Sequence, residues 1–238
     1  MEIRHYEFAA MTPDLPAVEI AIVQKTNDFR RANQLAALRR NPLLDQAAKA
    51  YARYLARTGK FSHTADGRSH SQRIKAAGYK YCITAENLAL NGDTRGFRSK
   101  QLAQGAIAGW KNSLGHRKNM LRKHVTEIGV GVAKAPNEHR YLSVQLFGRP
   151  AALKYSFRIE NRSPAPMLYS FDGRKGELPK RVIATHTSCQ PALLKFHSII
   201  VPGKRQKTDQ LFETRDGDVF VLQASSAGVR VIHKPKLR

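Results

Sequence analysis

Three segments carry side chains capable of acid–base or ligand chemistry. Phe61-Ser62-His63 puts an imidazole in a loop, and Ala85-Glu86-Asn87-Leu88-Ala89 sets a carboxylate beside an apolar stretch. Trp110-Lys-Asn-Ser113-Leu-Gly-His116-Arg117 brings a second imidazole to a turn. Imidazole and carboxylate are the groups from which proton-transfer and divalent-metal sites are built. Sequence separation alone does not make them meet. Each has an ordinary reading: His63 as a solvated loop residue, Glu86 as a helix-capping acid, His116 as a residue at a helix start. The sequence holds no His-Glu-x-x-His helix, the usual zinc-protease pattern. Ser113 lies three residues before His116 with no charge partner or elbow motif, so helix-end hydrogen bonding accounts for it better than nucleophilic catalysis. Further on, His186-x-x-Cys189 and His197 are spaced like metal ligands. Copper and zinc-ribbon patterns need more than this, and Met167 is not placed as an axial ligand. These read as surface or sandwich-edge residues.

The elements that must carry these groups follow from periodicity. Val18 to Leu38 has helical spacing, and Asn41-Pro42 stops it because a residue before proline leaves the helical region. A second helix runs from about Leu44 to Thr58, with Gly59 as its cap. A short helix spans about Ser69–Ala77, another covers 99–111, and 115–121 reads as a further turn. Glu127–Ala133 alternates as a half-buried strand, with Arg140–Phe147 as its hairpin partner. Gly148-Arg-Pro150 marks a boundary. Beyond it the period changes from 3.6 to 2. Leu153–Glu160, Met167–Phe171, Arg181–Thr187, Ala192–His197 and Val219–Gln223 are strand candidates separated by Pro, Gly and Asp turns. That pattern predicts a small antiparallel sandwich.

Composition narrows the partners. The chain has 238 residues, 41 Lys and Arg against 18 Asp and Glu, and a formal charge of +23. Residues 1–150 hold 25 basic and 11 acidic residues, and 151–238 hold 16 and 7, so the excess is spread over both halves. Such a field attracts polyanions. From Thr94 to Thr126 there is no acidic residue, while eight Lys and Arg occur, including Arg117, Lys118, Arg122 and Lys123. This predicts a cationic rim around His116, and like charge should keep that imidazole neutral. Nucleic-acid binding lacks the aromatic platform or recognition motif it would need. No apolar run reaches the length of a membrane span. Met1-Glu-Ile-Arg-His-Tyr-Glu shows no signal-peptide core, so the chain is expected to be cytoplasmic or the mature form of an exported protein.

The motifs, in their order, resemble the CAP/SCP superfamily of cysteine-rich secretory, antigen 5 and pathogenesis-related proteins, in its bacterial form. They run from Asn27-x-x-Arg30 through Leu38-x-x-Asn41, Phe61-Ser-His63 with Asp66-Gly67, Arg73-Ile and Ala77-Gly78-Tyr79. Glu86-Asn87-Leu88-Ala89, Trp110-x-x-Ser113-x-Gly115-His116-Arg117-x-Asn119, Glu127-Ile-Gly-Val-Gly-Val and Gln145-x-Phe147-Gly148 complete the series. The resemblance implies an α+β chain. An α-β-α sandwich over 18–148 follows an N-terminal extension over 1–17, and a linker at 149–153 leads to a β-rich domain over 154–238. It also implies a cleft holding His63, Glu86 and His116. In animal and plant members such histidines bind zinc or another divalent metal; Glu86 completes a three-ligand set only if it ligates directly. A second acid usually follows the helix tryptophan, and Ser113 stands there instead. Ala85 and Leu114 replace a glycine and a proline common in the family.

Two functions follow from this reading. The first is a secreted or periplasmic binding module that holds an anionic envelope polymer or lipid through a His-lined cleft rimmed by Arg117, Lys118, Arg122 and Lys123. The alternative is a metal-dependent hydrolase of peptide or peptidoglycan bonds, with Glu86 as general base. The missing second acid favours binding. Cys82 and Cys189 fall in different expected domains and are candidates for one disulfide in an oxidising compartment, or for two buried thiols.

Overall fold

The computed structural model describes residues 11–136, 138–197, 200–201, 204–205, 210–225 and 228–236. The expected N-terminal extension lies outside the described residues as far as residue 10. The chain forms two compact units that divide between Ala152 and Leu153. Neither cysteine is a free thiol.

The first unit holds helices α1 (Leu15–Ala32), α2 (Pro42–Thr58), α3 (His70–Ala76), α4 (Ser99–Asn112) and α5 (Leu114–Met120). Strands β1 (Arg39–Arg40), β2 (Tyr81–Gly92), β3 (Glu127–Lys134) and β4 (Arg140–Pro150) form one sheet in the order β1-β3-β4-β2. All pairings are antiparallel except β1 with β3. On β3, Ile128, Val130 and Val132 join α1 and α4 in one core, whereas Ala133 joins α2 and α3 in another. The sheet therefore carries helices on both faces, which is why its strands are buried almost throughout.

Close approach on one face rests on two glycines. A Cβ on Gly129 would stand 2.2 Å from the main-chain carbon of Leu44, and one on Gly131 2.2 Å from the main-chain nitrogen of Lys49. Only a strand without side chains at these points lets α2 lie on the sheet. Asn41 starts α2 by accepting from the Leu43 N–H at 2.9 Å, and Pro42 follows in the first helical turn, where no N–H is needed. Gly59, at φ 68°, ends the helix in the left-handed conformation.

Several boundaries differ from the sequence expectation. Helix α1 stops at Ala32 instead of reaching Leu38, because Gln34 takes φ 58° and the chain folds back. There Asn27 clamps the Leu38 main chain from both sides, at 2.8 and 3.0 Å. The turn expected at 115–121 is the helix α5. Gly148-Arg-Pro150 closes β4, and the two units divide two residues beyond it, between Ala152 and Leu153. Strand β2 was not legible at all. It sits at a sheet edge yet buries four consecutive residues, Ala85 to Leu88, so it has no alternation to read.

In the second unit, β5 (Tyr155–Asn161), β6 (Met167–Phe171), β7 (Arg174–Leu178), β8 (Ile183–Ser188), β9 (Leu193–Phe196), β10 (Ile200–Val201), β11 (Lys204–Arg205), β12 (Gln210–Glu213), β13 (Val219–Ser225) and β14 (Gly228–Lys234) follow one another. Two four-stranded sheets, β12-β9-β6-β7 and β14-β13-β5-β8, share a core around Phe157, Phe196 and Phe220. One pairing, β13 with β5, is parallel, so the sandwich is not purely antiparallel as expected.

Replacing Gly131 with alanine drives a methyl group into helix backbone, which cannot swing aside as a side chain would. The expected cost is about 3 kcal/mol, a fall of roughly 10 °C in melting temperature by circular dichroism. An unchanged melting temperature would contradict the glycine contact.

Candidate functional site

A buried arginine organises the residues singled out in the sequence. Arg73, on α3, is 5% exposed. Its Nη2 donates to Glu86 Oε2 at 2.7 Å, to Oε1 at 3.0 Å and to the His63 carbonyl at 3.0 Å. Its Nη1 donates to Asp66 at 2.9 Å and to the Arg68 carbonyl at 2.6 Å. The guanidinium carbon lies 3.4 Å from the centre of the Tyr51 ring, a cation–π contact with α2. Tyr51 also donates to the Ser62 carbonyl and accepts from the Ala65 N–H at 3.1 Å. The loop carrying His63 is thereby fastened to α2 and α3.

Glu86 projects from the buried centre of β2 and is 4% exposed. Besides Arg73, it meets His63 Nδ1 at 2.8 Å. An ionised carboxylate only accepts, so His63 carries a proton on Nδ1, and in its neutral form Nε2 holds the lone pair. His116 comes from α5, and its carbonyl accepts from Asn87 at 3.1 Å. Asn119, one turn later, donates to the Glu86 carbonyl at 3.1 Å and to Asn87 Oδ1 at 3.0 Å. The network continues inward: Asn87 donates to Gln145 at 3.0 Å, Gln145 to Thr26 at 2.8 Å, and Thr26 to the Ile22 carbonyl at 2.7 Å. Trp110 anchors α4 by donating to the Leu88 carbonyl at 2.8 Å.

His63, Glu86 and His116 line one cavity of about 630 Å³, together with Ser113, Lys118, Asn119 and Arg122. Arg117 and Lys123 are exposed on the same segment but do not line it. Among the described residues none of these four cations meets a carboxylate within 4.0 Å; Arg122 donates to the Thr84 carbonyl at 3.2 Å. Burial, with the nearby His63, lowers the pKa of His116 below the ordinary imidazole range. The direction matches the sequence expectation, but burial rather than the surrounding lysines and arginines is its first cause. Ser113 joins α4 to α5, where its main chain bonds Gly109 at 3.2 Å and Arg117 at 2.8 Å, while its hydroxyl makes no capping bond.

A three-ligand metal centre here would need Glu86, whose carboxylate is already engaged. Oε1 of Glu86 accepts from both Arg73 and His63, while Oε2 accepts from Arg73 alone and keeps one lone pair. Among the described residues no three His, Cys, Asp or Glu side chains are grouped to hold a metal ion. The two imidazoles alone would be one ligand short of a catalytic zinc site, so the third ligand would have to be Glu86 Oε2. Among the described residues the second unit groups no such centre either. His186 stacks on Phe157, with ring centroids 5.1 Å apart, and meets the Tyr169 hydroxyl at 3.1 Å, while His197 meets the Ser170 hydroxyl at 3.2 Å.

Arg73 is the residue whose role the sequence reading missed. It stands in the Arg73-Ile pair, where little in the sequence separates a buried arginine from a solvated one. Its only signal was a position next to the apolar Ile74 in a helix too short to bury much else.

The profile of the CAP family, the cysteine-rich secretory protein family, matches residues 23–147, and the chain belongs to that family. Among curated relatives, the uncharacterized protein YkwD of Bacillus subtilis is 28% identical over 120 residues, covering 50% of this chain and 44% of its own. The chain therefore spans under half the length of that relative. Among solved structures, an outer surface protein of Borrelia burgdorferi has 23% identity and a TM-score of 0.49, covering 57% of this chain and 93% of its own. An extracellular SCP-domain protein of Bacillus anthracis has 25% identity and a TM-score of 0.48, covering 60% and 45%.

Removing Arg73 would leave the Glu86 and Asp66 carboxylates without their buried cation. Arg73→Ala is expected to cost about 3–5 kcal/mol in urea unfolding, and Arg73→Lys, which cannot supply the forked geometry, to recover only part. Full stability in the alanine variant would refute the pairing. Burial likewise lowers the pKa values of His70 and His186. As pH falls, the unfolded chain takes up protons first, so stability is full above about pH 7 and declines through the ordinary imidazole value of about 6.5 toward the folded values. Melting temperature should therefore drop between about pH 7 and 5, and His116→Gln should flatten that slope.

Proposed function

We propose that this protein is an exported binding module. It holds an anionic cell-envelope polymer or lipid in the basic, His-lined cavity of its CAP unit and does not turn it over. One observation carries the reading: the only acidic residue lining the cavity among the described residues, Glu86, is neutralised by the buried Arg73 behind it. What faces a ligand is therefore two imidazoles with the cations Lys118 and Arg122. The hydrolase alternative needs Glu86 as a free general base, and its oxygens are already occupied by Arg73 and His63. Membership of a secretory family and two cysteines of which neither is a free thiol support placement in an oxidising compartment, secreted or periplasmic. No helix among the described residues is long and apolar enough to cross a membrane.

Binding to lipopolysaccharide and to anionic liposomes, measured by co-sedimentation, should weaken steeply as salt shortens the reach of exposed charge from about 10 Å at 0.1 M to about 3 Å at 1 M. The double variant Lys118→Glu, Arg122→Glu should lose about tenfold or more. Glu86 is best probed as Glu86→Gln, since alanine would strand Arg73. Cleavage of peptide or peptidoglycan by the parent, lost in that variant while its fold persists, would overturn the binding reading.

A further inference from the structure

Leu114 is 77% exposed, more than any other large apolar side chain among the described residues. It opens α5 between Ser113 and Gly115, both of which line the cavity. The residue that α5 buries is Met120, so core packing does not explain Leu114. Positions three and four further along a helix share a face. Here they are Arg117 and Lys118, both exposed and paired with no carboxylate among the described residues. The loop that brings His63 to the cavity repeats the pattern, with Phe61 49% exposed beside the exposed Lys60.

A single exposed leucine is ordinary. An aliphatic side chain raised among unpaired cations on the acid-free stretch, and an aromatic one beside Lys60 on the loop that carries His63, have the composition of a membrane-interface contact. We infer that this rim docks on the surface of an anionic lipid bilayer. Leu114 and Phe61 enter the boundary between headgroups and acyl chains, and Arg117, Lys118 and Arg122 lie against the phosphates. The inference rests on the anion-binding reading and narrows its partner to an assembled bilayer. Each cation near such a surface adds about fivefold to binding. The apolar pair decides between partners, because a dissolved polyanion offers charge but no apolar phase.

The test compares the parent with the double variant Phe61→Ser, Leu114→Ser, each checked for folding by circular dichroism. The probes are vesicles of phosphatidylcholine with phosphatidylglycerol, and heparin as a soluble polyanion. The expected result is vesicle binding weakened about tenfold or more, with heparin affinity changed by less than about twofold. Leu114→Phe, which keeps an apolar side chain, should retain vesicle binding. Vesicle binding that survives the double variant, or that falls only in step with heparin binding, would overturn the bilayer inference and leave the anion-binding reading standing. A parent that binds heparin but not vesicles would do the same. A parent that binds neither would overturn both.

Discussion

The first unit depends on a buried ion pair whose members cannot be separated cheaply. Arg73 and Glu86 are 5% and 4% exposed, and either one alone would be an uncompensated charge in a low-dielectric interior. The arrangement is stable because the guanidinium's terminal nitrogens reach five oxygens drawn from the Glu86 side chain, the Asp66 side chain and two main-chain carbonyls. Those oxygens belong to the 59–69 loop and to β2, while the guanidinium face belongs to Tyr51 of α2. Four parts of the chain are thus fixed by one side chain. The orientation of His63 is a by-product, since the carboxylate that Arg73 immobilises dictates where the Nδ1 proton sits. The same pair decides the electrostatic character of the cavity, because it cancels the one acid that could have offset Lys118 and Arg122.

Around that pair, polar groups are chained rather than isolated. Asn119, Asn87, Gln145 and Thr26 connect α5 through the sheet to α1, and each bond satisfies a group that would otherwise be stranded between two apolar cores. The wall bearing His116 is therefore registered against the wall bearing Glu86 by side-chain amides, not by apolar contact alone. The glycine face of β3 serves the same end from the other side. By letting α2 lie on the sheet, it brings Tyr51 close enough to support the loop and the arginine.

Much of this was legible in the sequence, and the failures have physical causes. Helix α2 was readable because Asn41, Pro42 and Gly59 punctuate it and its apolar residues keep helical spacing. Strand β3 was readable because Ile128, Val130 and Val132 alternate with glycine. Strand β2 was not, since helices cover both of its faces and its buried run mixes Glu86 and Asn87 with apolar residues. In the second unit Met167–Phe171 was placed correctly, whereas β7, β12 and β14 are sheet edges whose exposed, charged residues hide alternation. The motif order brought His63, Glu86 and His116 together before any geometry was known. It carried no information about Arg73, because a buried arginine and a solvated one look alike until the carboxylates beside it are placed.

The chain holds a single tryptophan, Trp110, 1% exposed and bonded to the Leu88 carbonyl across the seam between α4 and β2. The indole emission of this protein therefore originates entirely in the first unit, from a site shielded from water. A red shift on denaturation reports the parting of that seam and is silent about the β-sandwich of the second unit. Fluorescence follows the first unit alone while far-ultraviolet dichroism sums over both, so a gap between their transitions, recorded on one sample, shows that the two units melt separately.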